Sequence, residues 1–160
     1  MSQLMAKSAK NVQDVLDQKG LQCKVVELPS STHTAQDAAS SIGCNVAQIV
    51  KSLIFKTKET NKPVLILAAG PNRVNEKIIE SYVGEKIEKA NAEFTREVTG
   101  FAIGGIPPVG HKQHIDLIFI DEELLKNESV WAAAGTPNAV FKLQSQDLLE
   151  MTEGKVVIIG

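Results

Sequence analysis

Cysteine is scarce in this chain: Cys23 and Cys44 are the only two among 160 residues. Two thiols in a chain of this length do not make a disulfide framework, and they read as reduced residues of a cytosolic protein. Long apolar runs are missing as well. The stretch 64–69 is among the longest, far below the ~20 residues that cross a bilayer. Residues 1–20 contain no apolar stretch and carry Lys7, Lys10, Asp14 and Asp17, so no signal peptide is expected there. No single charge sign dominates: 17 Lys and Arg oppose 19 Asp and Glu, a net −2. That excludes the broad positive field of an indiscriminate polyanion binder and leaves room only for a local patch. Low-complexity tracts, internal repeats and linkers are also absent. What remains is 43% hydrophobic and 22% charged residues, a balance that excludes a disordered chain. A chain of this size buries about 68–70% of its unfolded surface. One domain over residues 1–160 is expected.

Helices and strands are interspersed without strict alternation. Residues 4–19 read as an amphipathic helix with Met5, Ala9, Val12 and Leu16 inward and Gly20 as its stop. Residues 23–28 read as a strand ended by Pro29. Thr34 is a helix cap with Asp37 three residues on, and Ala35, Ala38, Ala39 and Ile42 form the apolar side. Ile49–Thr57 and residues 64–69 are β-rich. Asn75 and Gly84 bracket a helix over Glu76–Val83, and Asn91 caps another over residues 92–98. Strands follow at 115–120, 130–133, 139–143 and 156–159, with Ser145 capping a helix through Met151. The pattern predicts an α/β (mixed α+β) fold, a mixed β-sheet or partial barrel surrounded by helices.

Lys51 is the most informative single residue. On a strand it shares a face with Ile49, Leu53 and Phe55, so it either reaches solvent at the strand end or pairs with an anion. A second feature is the Gly/Pro segment 100–110, in which Gly104 and Gly105 precede Ile106, Pro107 and Pro108. Glycines let backbone N–H groups approach a ligand and prolines stiffen the loop, although a plain structural turn fits too. The segment lacks the Lys-Ser/Thr ending of a P-loop. Ala134, Gly135, Thr136, Pro137 and Asn138 form a small polar loop that either walls a pocket or closes a hairpin. His111, His114 and Asp116 do not converge on an extended strand, so no metal site is expected. His33 stands in a polar loop and reads as solvated. Neither cysteine has a catalytic context, and Ser52 points away from Lys51 on a strand, which defeats a Ser–Lys dyad. Asp121, Glu122 and Glu123 read as the start of a short helix. Arg73, Lys86, Lys89 and Lys112 are candidates for a basic patch.

Taken in order, these segments resemble the YbaK/EbsC family of free-standing aminoacyl-tRNA editing proteins, related to the editing domain inserted in bacterial prolyl-tRNA synthetases. The resemblance is carried by Thr34-Ala35-Gln36-Asp37, by Ile49-Val50-Lys51-Ser52-Leu53, by the glycine loop through His111, and by Ala134-Gly135-Thr136-Pro137-Asn138. It spans residues 32–143 and implies hydrolysis of a wrongly charged amino acid from the tRNA 3′ end. It places Lys51, Gly104 and Gly105 in the catalytic machinery. It makes Thr32, His33, Ile106, Pro107, Ala134, Gly135 and Thr136 substrate contacts. The branch that removes cysteine carries a serine and an aspartate near the positions of Ala133 and Val140. Their absence turns the expected substrate toward alanine, serine or threonine on tRNA(Pro). The implied partner is the 3′ acceptor end of an aminoacyl-tRNA, delivered free, by prolyl-tRNA synthetase or by an elongation factor. No cofactor, metal, DNA or membrane enters this expectation. The rival readings are a non-catalytic tRNA- or small-ligand-binding module on the same fold, and a general phosphate- or nucleotide-binding protein.

Overall fold

The computed structural model describes residues 7–29 and 34–160. Helix α1 (Lys7–Gln18) buries Ala9, Val12 and Leu16, one face of the expected periodicity. Its predicted beginning at Leu4 and Met5 lies outside the described residues. Helices α2 (Ala35–Ile42), α3 (Glu76–Val83) and α4 (Ala92–Thr99) start at caps legible in the sequence. Thr34 Oγ1 accepts from the Asp37 N–H, Asn75 Oδ1 from Lys77 and Asn91 Oδ1 from Phe94. Helix α5 (Ser145–Thr152) departs from expectation. Gln144 holds the cap position without a side-chain bond, and the Ser145 N–H donates instead to the Glu128 carbonyl.

Among the described residues, eight strands form one mixed sheet: β1 (Val25–Glu27), β2 (Ile49–Thr57), β3 (Pro63–Ala69), β4 (Ile87–Lys89), β5 (Leu117–Asp121), β6 (Ser129–Ala133), β7 (Ala139–Gln144) and β8 (Lys155–Val157). Their order is β1-β7-β6-β2-β3-β5-β8, with β4 also on β2. Helices flank this sheet. The strands expected at 23–28, 115–120 and 156–159 are trimmed or shifted because pairing sets their ends: β1 runs only as far as its ladder with residues 139–141. Strand β4 has no counterpart in the sequence pattern.

Strand β2 organises the sheet. One of its edges pairs with β3 over seven residues, antiparallel. The other edge is divided. Parallel β6 meets only Ile49 and Val50, and antiparallel β4 meets residues 55–57. The Thr57 N–H donates to Lys62 on the β3 side, while the Ile54 carbonyl accepts from Ala90 on the β4 side. By the alternation of a strand, Ser52 therefore turns its backbone N–H and C=O toward the gap between β4 and β6.

The two faces of the sheet carry separate cores. Val50, Ile54, Leu65, Leu67 and Ile120 pack with α1, Phe101 and Ile106 on one face. On the other, Phe55, Val64, Ile66, Ala68, Ile79 and Phe119 form a second cluster, and Ile49 joins Ala38 and Ala39 of α2 in a third. Lys51 belongs to this second face and falls between its two apolar clusters.

Candidate functional site

The position of Lys51 follows from that interval. Ile49 before it packs under α2, and Leu53 and Phe55 after it pack with α3. Directly across on β3 stands Ala68, fully buried and too small to fill the space beside the lysine. Lys51 is half-buried, and its Nζ donates to the Asn72 carbonyl at 2.6 Å. Burial first, then the charge of Arg73, pushes its pKa below the ordinary lysine range, while Asp121 acts in the opposite direction. An ammonium has three N–H groups, and this one has a single bonded partner among the described residues. Two donors remain for a ligand.

Asn72 closes the turn that follows β3, its N–H donating to the Ala69 carbonyl. The turn lies hard against α2 and the 3₁₀ segment Val46–Gln48 because Gly70 has no side chain there. Asp121, only 1% exposed, holds the turn from beneath. Its Oδ2 accepts from the Ala69 N–H at 3.0 Å and from Asn72 Nδ2 at 2.9 Å, and its Oδ1 accepts from the Glu123 N–H at 3.0 Å. The third bond makes Asp121 the cap of the short 3₁₀ helix Glu122–Lys126, the role expected of it. The other two reach the lysine site, a link that the local sequence does not signal.

The glycine loop approaches from the other side. The Gly105 N–H donates to Ala102, and the Gly105 carbonyl accepts from the Gly135 N–H at 2.8 Å. A Cβ on Gly105 would stand 2.9 Å from the backbone of Thr136, so the loop and the β6–β7 hairpin touch main chain to main chain. His111 Nε2 bonds the Pro107 carbonyl at 2.7 Å and ties down the far end of the loop. Burial lowers the His111 pKa, which keeps the ring neutral with its proton on Nε2 toward that carbonyl.

Between these parts lies a cavity of about 620 Å³. Lys51, Gly104 and Ile106 line it, together with Thr34, Ala35 and Gln36 at the start of α2, Ser52 and Leu53 of β2, Gly70, Arg73, Trp131, Ala132, Ala133 and Val140. Gly105, Pro107, Ala134, Gly135 and Thr136 do not line it. Gly105 and Gly135 join the two loops behind the wall, Ala134 is fully buried in the core, and the loop 134–138 closes the hairpin. The wall is made instead by the strand residues on either side of that turn. Thr32 and His33 lie outside the described residues. Of the four basic-patch candidates only Arg73 reaches the cavity. His114 pairs with Asp116 in solvent, and no group of metal-ligating side chains occurs among the described residues. The charged lining is wholly positive, Lys51 and Arg73, and contains no nucleophilic thiol. Ser52 lies there too, but its Oγ is buried without a hydrogen-bond partner, on the face opposite Lys51. A larger groove, about 1170 Å³, opens beside β1 near Cys23 and Lys142, but neither Lys51 nor the glycine loop reaches it.

A strand lysine held by a backbone carbonyl, a glycine loop and the strand ends of a small-residue hairpin meet at one cavity. The model of the aminoacyl-tRNA editing domain matches residues 29–151, and the chain belongs to that family. It is 31% identical over 151 residues to the uncharacterized protein YwhH of Bacillus subtilis, covering 94% of this chain and 95% of that one. It is 37% identical over 90 residues to the proline–tRNA ligase of Limosilactobacillus fermentum, 54% of this chain but 16% of the ligase. A crystal structure described as that of a candidate trans-editing enzyme for prolyl-tRNA synthetase superposes with a TM-score of 0.92 at 43% identity, covering 98% of both chains. Among the described residues, no helix is long and apolar enough to cross a membrane.

Proposed function

We propose that this chain is a cytoplasmic trans-editing deacylase, a single editing unit that hydrolyses a small neutral amino acid from the 3′ end of mischarged tRNA(Pro). The observation that carries this reading is the partly buried Lys51 ammonium, with two unpartnered N–H groups, in a cavity whose charged lining is wholly positive. Such a site suits an anionic ligand or a developing oxyanion. An aminoacyl ester is already activated, so the protein need add only orientation and charge. One well-placed oxyanion donor supplies about 10²–10³-fold. Lys51 provides that charge, or holds the terminal phosphate beside Arg73. Gly104 supplies backbone at the cavity wall, whereas the Gly105 N–H is already bonded within its loop. Water attacks the ester carbonyl, the free ribose hydroxyl of the terminal adenosine serves as internal acid–base, and the amino acid leaves without a covalent enzyme intermediate.

The wall at Ala132, Ala133 and Val140 presents no side-chain hydroxyl or carboxylate. Alanine fits against that wall without leaving a polar group unpaired, and the Ser52 hydroxyl elsewhere in the lining keeps serine and threonine as expected substrates beside it, ahead of cysteine. The acceptor end arrives on free tRNA, or is handed over by prolyl-tRNA synthetase or an elongation factor.

The test is deacylation of Ala-, Ser-, Thr-, Cys- and Pro-charged tRNA(Pro) by wild type and by Lys51→Ala. Fast loss of alanine, reduced about 10²–10³-fold in Lys51→Ala, is expected. No acceleration on any charged tRNA, with or without the synthetase, refutes the reading. The occupied Gly105 amide leaves the glycine loop with fewer N–H groups for a ligand and favours, as second reading, a binding module on the same fold. That module protects charged tRNA from hydrolysis instead of speeding it.

A further inference from the structure

Lys51, Ala68 and Asp121 form one row across three strands. Lys51 pairs with Ala68 in the β2–β3 ladder. The β3–β5 register, Leu67 opposite Ile120, continued by one residue brings Ala68 level with Asp121. All three side chains therefore rise from the same face, with the smallest in the middle. Over that small residue passes the turn 69–72, and Asn72 touches both neighbours: its carbonyl accepts from Lys51 Nζ, and its Nδ2 donates to Asp121 Oδ2. We propose that Asp121 is a positioning residue for Lys51, acting through Asn72 to fix the ammonium at the cavity.

Three observations support this role. Asp121 is buried, yet no cation contacts it directly among the described residues, and its oxygens accept only from amides. A buried carboxylate without an ion pair is costly unless nearby charges compensate it; Lys51, one residue away through Asn72, and the exposed Lys126 are those charges. The Asn72 side chain is the second observation, because capping Glu123 and holding the Ala69 N–H would not require it. Third, two charged groups act on the ammonium, Arg73 against its proton and Asp121 for it. Arg73 shares the cavity with Lys51, so of the two charged groups only Asp121 favours the ammonium there. The arrangement serves a lysine that works as a fixed cation, so this inference rests on the reading of Lys51 given above.

Two substitutions separate positioning from support. Asn72→Ala removes the Nδ2 bond and leaves both the carbonyl and Asp121. Asp121→Asn exchanges the charged acceptor for an amide. Lys51 is followed by its Cε and Nζ resonances through a pH titration, assigned by their loss in Lys51→Ala, and deacylation kinetics run in parallel. Asp121→Asn is expected to lower the pH at which Lys51 titrates and to reduce kcat by about 10²-fold, the scale of a misplaced reacting group. The expected change in KM stays within about threefold. Asn72→Ala moves both readouts the same way by less. If both variants lose thermal stability while the Lys51 titration stays in place, Asp121 is structural and the proposal falls. If Asp121→Asn does not fold, Asn72→Ala decides alone. The titration needs no tRNA, so it tests the coupling of Asp121 to Lys51 even where deacylation fails.

Discussion

The turn that holds Lys51 is tightest at Gly70, and a single methyl group there tests how closely the site depends on it. A Cβ on Gly70 would stand 2.2 Å from the Val46 carbonyl oxygen, 2.9 Å from Val46 Cγ2 and 3.1 Å from Ala35 Cβ. Ordinary contact begins near 3.4 Å, so the turn and its neighbour must separate by about 1.2 Å. Val46 opens a 3₁₀ segment closed by the Gln48 N–H on the Asn45 carbonyl, and it cannot yield alone. Overpacking of this kind costs about 1–3 kcal/mol. Against that stands about 0.4–1 kcal/mol from the reduced freedom of the unfolded chain. Gly70→Ala is therefore expected to lose about 1–2 kcal/mol, read as a fall in the urea midpoint at unchanged m. The same displacement carries Asn72 away from Lys51, and an error of that size in a positioning group costs about 10²-fold in rate. Gly84→Ala is the control for backbone strain alone, since nothing lies within 4 Å of its Cβ, its φ of 91° resists the substitution and it stands outside the cavity. A Gly70→Ala midpoint at or above wild type would refute the packing argument. A lower midpoint with an unchanged deacylation rate would refute the link between turn and lysine.

His111 makes stability depend on mild acid. Burial holds its folded pKa below the ordinary 6.5, so between those values the unfolded chain takes up a proton that the folded one refuses. Stability therefore falls as pH drops below about 6.5, by at most about 1.4 kcal/mol per pH unit. His111→Gln, whose amide can still donate to Pro107, is expected to flatten that segment of a urea-midpoint-against-pH curve, while an unchanged slope assigns it elsewhere. Burial, then the charge of Asp147, raises the Cys23 pKa. In a Cys44→Ser background its alkylation at neutral pH should follow unfolding of the protein, and fast modification of the native state would contradict its burial.

Chemistry confined to a few consecutive residues was legible in the sequence. Asn75 with Gly84, and Asn91 with its helix, fixed two helices because a cap bonds within its own turn. Lys51 and the glycine loop stood out for the same reason, each being odd in its own neighbourhood. Strand β4 escaped because Ile87, Glu88 and Lys89 are a strand only by lying against residues 55–57. Asp121 was visible as a helix start and invisible as a partner of the lysine turn, since only sheet register brings residues 51 and 121 into one row. The cavity lining lies one step away from the expected turn residues for a related reason. The turn residues Ala134 to Thr136 catch the eye, but the pleat aims their neighbours Ala133 and Val140 at the cavity.

Finally, the divided edge of β2 separates two jobs. The charge-bearing part, Lys51 with Ala68 and Asp121, sits on long ladders, seven residue pairs between β2 and β3 and four between β3 and β5. The β6–β7 hairpin, which supplies Ala133 and Val140, is laced to β2 by only two pairs. In the proposed deacylase, the charge and the wall that chooses the side chain thus stand on ladders of unequal length. Drift in the hairpin can reshape what fits while the charge stays anchored, and one scaffold can be tuned to different mistakes of the translation machinery without rebuilding its centre.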